Sequence, residues 1–181
     1  MKISGNAVVL TNGLFDTKSA KTAHGLIRAS MRFSIVAVID KKFYGNFVSL
    51  DENEKIILDD NPSKIPIYKD VKSFVGSSLE ASFCVIGVAS AGGLLPNEMR
   101  TELVLAIKNK MSIINGLHSM LSIDPELSSC AKANSVKIYD IRKIVPREKL
   151  SFWSGEISSV TSTKIVEWEQ IVVSVSGLLQ R

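Results

Sequence analysis

The residues of this chain of 181 residues that could carry chemistry stand directly after short apolar runs. They are Thr11-Asn12-Gly13, Asp40, Ser90–Gly93, Asn115–His118 and Asp140–Arg142. Glycines and short polar residues at such places let a ligand approach the backbone. If the runs are strands of an open parallel sheet, these residues lie outside the carboxyl ends of the strands, where such sheets bind ligands. The candidate ligand- or cofactor-binding residues are therefore Asn12, Gly13, Asp40, Gly92, Gly93 and Asn115.

The turn at Gly13 has two interpretations that the sequence leaves open. Backbone N–H groups at the start of the following helix could hold an anion, or the segment is a plain strand-to-helix turn. It is not a G-x-G-x-x-G fingerprint, because Gly13 is its only glycine. The stretch 13–19, GLFDTKS, also lacks the glycine that precedes the lysine of a P-loop, and a working P-loop is rejected here.

Asp40 ends the second apolar run, Ile35–Ile39. In dinucleotide-binding enzymes an acid at this place accepts hydrogen bonds from ribose hydroxyls. The alternative is an exposed turn acid, since Lys41 and Lys42 follow it. Both interpretations stay open at this point.

The two histidines are the other candidates for chemistry. His118 follows a predicted strand end and is the candidate catalytic residue, a general base, although no partner acid or nucleophile is visible beside it. His24 shares one predicted helical face with Lys21 and Arg28, which is either solvated or meets an anionic ligand or a second domain. Two histidines are too few to predict a metal site.

The elements that must position these residues alternate along the chain. Short apolar runs predict strands at 7–10, 33–39, 65–68, 83–89, 111–114 and 136–139, and helical patterns lie at 18–31, 70–75, 97–110 and from Asp124 to Asn134. The segment 41–64 is a small hairpin or a long loop. Strands joined by helices require crossover connections. The predicted fold class is α/β, a Rossmann-like three-layer domain with a mostly parallel sheet and crossover helices.

Composition limits the function classes. Charged residues make up 22%, the net charge is +4, and the lysines are scattered, so nucleic acid is not an expected partner. No apolar run approaches the ~20 residues that span a bilayer, and no signal peptide is evident, so no membrane association is expected. Two cysteines without C-x-x-C spacing favour a reducing, cytoplasmic location. The expected partner is a small-molecule ligand, and a homo-oligomer is compatible with the sequence.

Several motifs together resemble one known family. They are 20–28 (AKTAHGLIR), 36–40 (VAVID), 87–93 (GVASAGG), 115–118 (NGLH), 124–126 (DPE), 140–143 (DIRK) and 152–155 (FWSG). In order and spacing they resemble the N-terminal Rossmann-like domain of a bacterial and archaeal family formerly labelled as of unknown function. Some members are described as D-glutamate N-acetyltransferases of D-glutamate catabolism, and others loosely as NAD-dependent epimerases. The resemblance covers about residues 5–165.

The resemblance also implies a domain organisation. In that family a C-terminal domain follows, which opens with a P-loop resembling G-T-D-C-x-x-G-K-R-T-T, and here the match stops after Val166. Codons can be chosen for 166–181 so that the frame one nucleotide earlier reads GMGTDCCIGKRTTAT. We therefore expect residues 1–165 to form the Rossmann-like domain and 166–181 to be a tail outside the family, the frameshifted start of a lost P-loop domain. Trp153 and 160–166 are the expected apolar surface toward that domain.

Three functional hypotheses follow from the residues and the resemblance. The first is a truncated N-terminal ligand-binding domain of a D-glutamate N-acetyltransferase-like protein, inactive alone, with acetyl-CoA or a nucleotide as ligand. In a full-length enzyme the backbone near Gly92-Gly93 and His118 would serve acyl transfer. The second is an NAD-dependent oxidoreductase or epimerase-like domain, favoured by Asp40 and disfavoured by the missing glycines. The third is a non-enzymatic nucleotide- or acyl-CoA-binding domain.

Overall fold

The computed structural model describes residues 3–142 of the chain. One eight-stranded sheet holds them together, in the strand order β4-β3-β5-β2-β1-β6-β7-β8. The strands are β1 Gly5–Leu10, β2 Phe33–Ile39, β3 Phe47–Leu50, β4 Ile56–Asp59, β5 Ile65–Tyr68, β6 Phe83–Ile86, β7 Ser112–Asn115 and β8 Ile138–Asp140. The helices are α1 Lys21–Arg28, α2 Val71–Val75, α3 Asn97–Lys108 and α4 Pro125–Ala133.

Six of these strands form a continuous parallel sheet, β5-β2-β1-β6-β7-β8. Four of its five connections run through α1, α2, α3 and α4, and the connection from β2 to β5 runs through β3 and β4. β3 and β4 form an antiparallel hairpin that pairs with β5 at one edge. The predicted α/β, Rossmann-like fold with a mostly parallel sheet is therefore confirmed, and 41–64 contains a hairpin rather than a long loop.

The central strands are apolar throughout because both faces of the sheet are covered. Ala7, Val8, Val9 and Leu10 of β1 are fully buried. Such strands lack the alternation of a half-exposed sheet and read as continuous apolar runs. The core around them includes Leu103 and Ile107 of α3 and Leu127 of α4.

Helix α1 packs unusually close to the sheet at Gly87, which follows β6. A Cβ atom at Gly87 would overlap Cγ1 of Val9 and lie 2.9 Å from Cβ of Ala23. The backbone N–H of Ala23, in the first turn of α1, donates to the Gly87 carbonyl over 2.9 Å, and the N–H of Ala89 donates to the Ser19 carbonyl over 2.9 Å. Glycine at position 87 thus allows main-chain contact between helix and strand.

The predicted ends of α4 are confirmed. The Asp124 carboxylate accepts hydrogen bonds from the N–H groups of Glu126 (3.1 Å) and Leu127 (3.0 Å), and Pro125 occupies the first helical position. Arg100 of α3 binds both oxygens of Asp124 and also Glu126. The hydrogen bonds from Arg100, with those from the helix backbone, lower the pKa of Asp124 to about 2.

Several expectations fall on residues that the structure does not describe. The domain boundary at 165/166, the tail 166–181, Trp153 and the apolar surface at 160–166 lie outside residues 3–142. Within residues 3–142, no helix has the length and apolar character needed to cross a bilayer.

Candidate functional site

The carboxyl ends of the parallel strands carry two aspartates that organise the neighbouring loops. Asp40 follows β2 and Asp140 ends β8. Each carboxylate reaches across to the loop that follows the adjacent strand, β1 for Asp40 and β7 for Asp140. We call these two arrangements the Asp40 clasp and the Asp140 clasp.

Asp40 itself is fully buried, and five donors of the chain bind its two carboxylate oxygens. Oδ2 accepts from Thr11 Oγ1 (2.6 Å) and from the backbone N–H groups of Gly13 (2.8 Å) and Phe15 (3.2 Å). Oδ1 accepts from the N–H groups of Lys42 (2.9 Å) and Phe43 (3.2 Å). Asp40 is 0% exposed, so it is not the exposed turn acid that the sequence also allowed. A ribose hydroxyl at this carboxylate would have to displace donors already bound, and ribose binding stays a prediction.

The turn at Asn12 and Gly13 is tied to this clasp and covered on its outer side. Both residues adopt left-handed backbone angles, φ 51° for Asn12 and φ 90° for Gly13. The aliphatic part of Lys41 lies against Gly13, where a Cβ would approach Lys41 Cε to 3.2 Å. Lys41 also forms an ion pair with Glu98 of α3. This pair extends from the loop after β2 past the turn after β1 to the start of α3.

Two of the backbone donors near the start of α1 are already bound within the chain. The Ser19 N–H donates to Thr17 Oγ1 (3.2 Å), and the Ala23 N–H is bound to the Gly87 carbonyl. His24, in the same helix, donates from Nε2 to the Phe15 carbonyl over 2.7 Å and contacts the Phe15 ring edge-on. His24 thereby connects α1 to the β1 loop, and anion binding at Gly13 stays a prediction.

The Asp140 clasp uses three donors. Oδ1 accepts from Asn115 Nδ2 (2.7 Å) and the Leu121 N–H (3.0 Å), and Oδ2 accepts from the Ser122 N–H (3.0 Å). Burial raises the pKa of Asp140, but the hydrogen bonds from Asn115, Ser122 and Leu121 outweigh it, and the pKa lies below its usual value. Asn115 is itself fully buried and accepts the Leu117 N–H over 3.0 Å. Its side-chain amide therefore holds the loop 115–122 in place from the buried side.

Beside this clasp the loops after β6 and β7 enclose a pocket of about 330 Å³. The Gly93 carbonyl joins the two loops, because it accepts the N–H groups of His118 (3.0 Å) and Ser119 (3.1 Å). Gly92 and Gly93 both have positive φ angles, 65° and 66°. The pocket is lined by Ala89, Ser90, Gly92, Gly93, Gly116, Leu117, His118 and Arg142.

The His118 ring lies directly against Gly93. A Cβ atom on Gly93 would overlap Cδ2 of the ring and lie 2.7 Å from its Cγ. Arg142 Nη1 is 3.2 Å from His118 Nε2. A guanidinium group can only donate, so Nε2 of His118 is the acceptor and the ring is neutral in this arrangement. The predicted general base thus has an exposed ring and a cationic neighbour.

The structure divides the seven predicted site residues into two groups. Gly92, Gly93 and His118 line one pocket, with Asn115 beneath it, whereas Asn12, Gly13 and Asp40 belong to the Asp40 clasp. No hydrogen bond joins the two groups within residues 3–142. The sequence pattern assigned no role to Arg142, although it stands among the strand-end residues. Its place in the pocket depends on the register of β7 and β8, which pairs Asn115 with Asp140.

A larger groove of about 750 Å³ lies by the first residues of β2 and β5. Its lining combines apolar side chains, such as Ile35, Val48 and Ile65, with polar ones, such as Ser63 and Lys64. It contains none of the predicted site residues. The smaller pocket at His118, with its imidazole and guanidinium, is therefore the better candidate for chemistry.

The fold and this edge of the sheet define a Rossmann-like α/β domain with a candidate pocket at the carboxyl ends of its strands. The chain belongs to the family described as "Domain of unknown function (DUF1611_N) Rossmann-like domain", whose model matches residues 51–144. It is similar to a DUF1611 family protein from Anabaena variabilis of known crystal structure. That similarity has 28% identity and a TM-score of 0.66, and covers 85% of this chain and 41% of that one.

Two curated relatives are named D-glutamate N-acetyltransferase. The protein from Tritonibacter scottomollicae is 36% identical over 62 residues, which is 34% of this chain and 19% of that protein. The protein from a Pseudoalteromonas species is 35% identical over 66 residues, 36% of this chain and 20% of that protein. The matched segment thus spans about a fifth of each curated relative's length. The resemblance to this family is confirmed.

Proposed function

We propose that this chain is the N-terminal, small-ligand-binding domain of a D-glutamate N-acetyltransferase-like protein. The observation that carries the proposal is the pocket in which the His118 imidazole and the Arg142 guanidinium converge beside Gly93. The names of the two curated relatives supply the reaction class. Both reactants of that class, acetyl-CoA and D-glutamate, are anions, which suits a pocket lined by a cation.

The chemistry of such a transfer matches the groups present. The amine nitrogen of D-glutamate forms a bond to the acetyl carbonyl carbon, the carbon–sulfur bond breaks, and the amine proton passes to a base while the CoA thiolate leaves. His118 offers a neutral ring nitrogen as the base. Arg142, adjacent to His118, places a positive charge near the oxyanion that develops on the carbonyl oxygen.

Ligand binding is the decisive test, because the matched segment spans only a fifth of the relatives. The purified chain is examined by thermal shift and titration calorimetry with acetyl-CoA, CoA, D-glutamate, L-glutamate and NAD. We expect acetyl-CoA or D-glutamate to raise the Tm and NAD to leave it unchanged. Stabilisation by NAD alone would instead support the nicotinamide-dependent alternative and overturn the proposal.

Two histidine variants test whether the ligand binds in the pocket at His118. His118→Ala removes a ring that lines the pocket, and we expect it to weaken binding about tenfold or more. His24→Gln is the matched control, because His24 binds the Phe15 carbonyl outside the pocket. We expect this control to lower the Tm while the ligand affinity stays within about twofold of wild type.

A further inference from the structure

The two residues before Arg142 are fixed at the end of the β7–β8 pair. The N–H of the preceding residue, Ile141, donates to the Asn115 carbonyl over 2.9 Å. Asp140, one residue earlier, is fixed by its clasp. The backbone of Arg142 therefore starts from a defined place, and its long side chain extends from there to His118.

The positive charge of Arg142 meets no carboxylate within the part of the chain that the structure describes. The ion pairs among residues 3–142 involve Lys41, Lys42 and Arg100 on the cationic side. Asp140 lies close in sequence, but both its oxygens are bound by Asn115 and the loop that follows β7. None of the residues between 3 and 142 that line the pocket is acidic.

The only side-chain partner of Arg142 in the described residues is the neutral acceptor at His118 Nε2. Hydrogen bonds from a guanidinium to a carboxylate or phosphate are roughly twice as strong as those between neutral groups, and they are often bidentate. An anion in the pocket would therefore compete well for the guanidinium. Releasing it would leave Nε2 of His118 free to accept a proton.

We propose that Arg142 is the anion-binding residue of this pocket and that it receives a carboxylate or phosphate group of the ligand. This inference rests on the proposed function, because it uses the same pocket. It adds two points: Arg142 is the residue that binds the charged group of the ligand, and that group is a carboxylate or a phosphate. The two sources of such an anion are the carboxylates of an amino acid and the phosphates of a CoA-type molecule.

The test compares Arg142→Gln and Arg142→Lys with wild type by calorimetry. The probes are D-glutamate, acetyl-CoA, adenosine 3′,5′-bisphosphate and inorganic phosphate. We expect Arg142→Gln to weaken binding of the recognised anion about 10- to 100-fold and Arg142→Lys to weaken it less, because lysine keeps the charge but loses the planar fork. A loss confined to D-glutamate identifies a carboxylate, and a loss confined to the other probes identifies a phosphate.

Arg28→Gln is the matched control for net charge. Arg28 is exposed at the end of α1, where its Nε donates to the Glu54 carbonyl of the hairpin over 3.0 Å, away from the pocket lining. We expect this variant to bind every probe within about twofold of wild type. Circular dichroism and Tm of all three variants establish that they fold.

The outcomes separate this inference from the proposed function. If wild type binds D-glutamate or acetyl-CoA and Arg142→Gln binds equally well, the inference is wrong and the proposed function stands. If wild type binds only inorganic phosphate or the bisphosphate, and Arg142→Gln loses it, the inference stands without the proposed function. If wild type binds none of the four probes, both are overturned.

Discussion

The Asp40 clasp and the Asp140 clasp share one arrangement but differ in what surrounds it. In each, an aspartate at a strand end binds the loop of the neighbouring strand. Both aspartates are buried, but the Asp40 clasp uses five donors, whereas the Asp140 clasp uses three and lies beside an open pocket. The difference shows that one side of the sheet edge is occupied by the chain's own hydrogen bonds. The other side keeps an exposed imidazole and guanidinium for a ligand.

The largest effect that tests this comparison is expected for Asp40→Asn. The amide NH₂ must face either the two donors at Oδ1 or the three at Oδ2, so at least two partly buried donors lose their acceptor. We expect a loss of about 3–4 kcal/mol in the free energy of unfolding, from ~1–3 kcal/mol per unsatisfied donor. Urea denaturation measures it.

Asp51→Asn is the control for Asp40→Asn. Asp51 accepts two exposed backbone N–H groups, from Asn53 and Lys55, in the turn between β3 and β4. Water can replace an acceptor there, and we expect a loss of about 0.5 kcal/mol. Equal losses for Asp40→Asn and Asp51→Asn would show that the buried clasp is not a structural centre.

A smaller loss is expected for Asp140→Asn. Here the NH₂ group can take the Oδ2 position, where only the Ser122 N–H is opposed, while Oδ1 keeps Asn115 and Leu121. We expect a loss of about 1–2 kcal/mol near neutral pH. A loss as large as that of Asp40→Asn would remove the distinction between the clasps.

The Asp140→Asn loss also depends on pH. The pKa of Asp140 is lowered in the folded state, so its carboxylate stabilises the fold fully above the unfolded pKa, about 4, and loses this contribution as the pH falls through the folded value. The difference in unfolding free energy between wild type and Asp140→Asn should therefore be constant from pH 5 to 7 and shrink below about pH 4. A constant difference down to pH 2 would contradict this.

The smallest effect concerns the glycine pair on the pocket side. Gly92 and Gly93 share nearly the same positive φ, so alanine at either position carries the same backbone strain, about 1 kcal/mol. Only Gly93→Ala also collides with the His118 ring, because the Cβ of Gly92→Ala would have its nearest neighbour, Leu94 Cγ, at 3.8 Å. We expect Gly93→Ala to be about 1 kcal/mol less stable than Gly92→Ala.

The same two glycine variants also test whether ligand binding needs the His118 ring to lie against Gly93. If the His118 ring must lie on Gly93, Gly93→Ala should weaken ligand binding more than Gly92→Ala, as measured by calorimetry. Equal affinities of the two variants would show that the ring position seen here is not needed for binding.

Much of the fold could be predicted because its signals are local. β2 and β5 have the bounds that their apolar runs indicate, and Asp124 caps α4 as its position before Pro125 suggests. The ends of α1 were less predictable, because its first residues form a separate 3-10 turn, Lys18–Ala20.

The candidate site was harder to predict because its contacts are distant in the sequence. Ile39-Asp40-Lys41-Lys42 has the composition of an exposed turn, yet donors at 11–15, more than twenty residues earlier, bury Asp40. The position of Arg142 follows from strand register, which one residue of slippage would change. The strand-end rule indicated His118 and Gly93, which line the pocket, but it could not distinguish a clasp from a pocket.

The close contact at Gly87 has a consequence for local motion in α1. The first turn of a short helix ordinarily frays, since its N–H groups have no partner within the helix. In this domain the N–H group of Ala23 donates to the carbonyl of Gly87, the residue after β6. Because Gly87 has no side chain, the helix can approach the strand closely enough for this bond. Opening that turn therefore requires breaking a contact with the sheet, which opposes fraying at the beginning of α1.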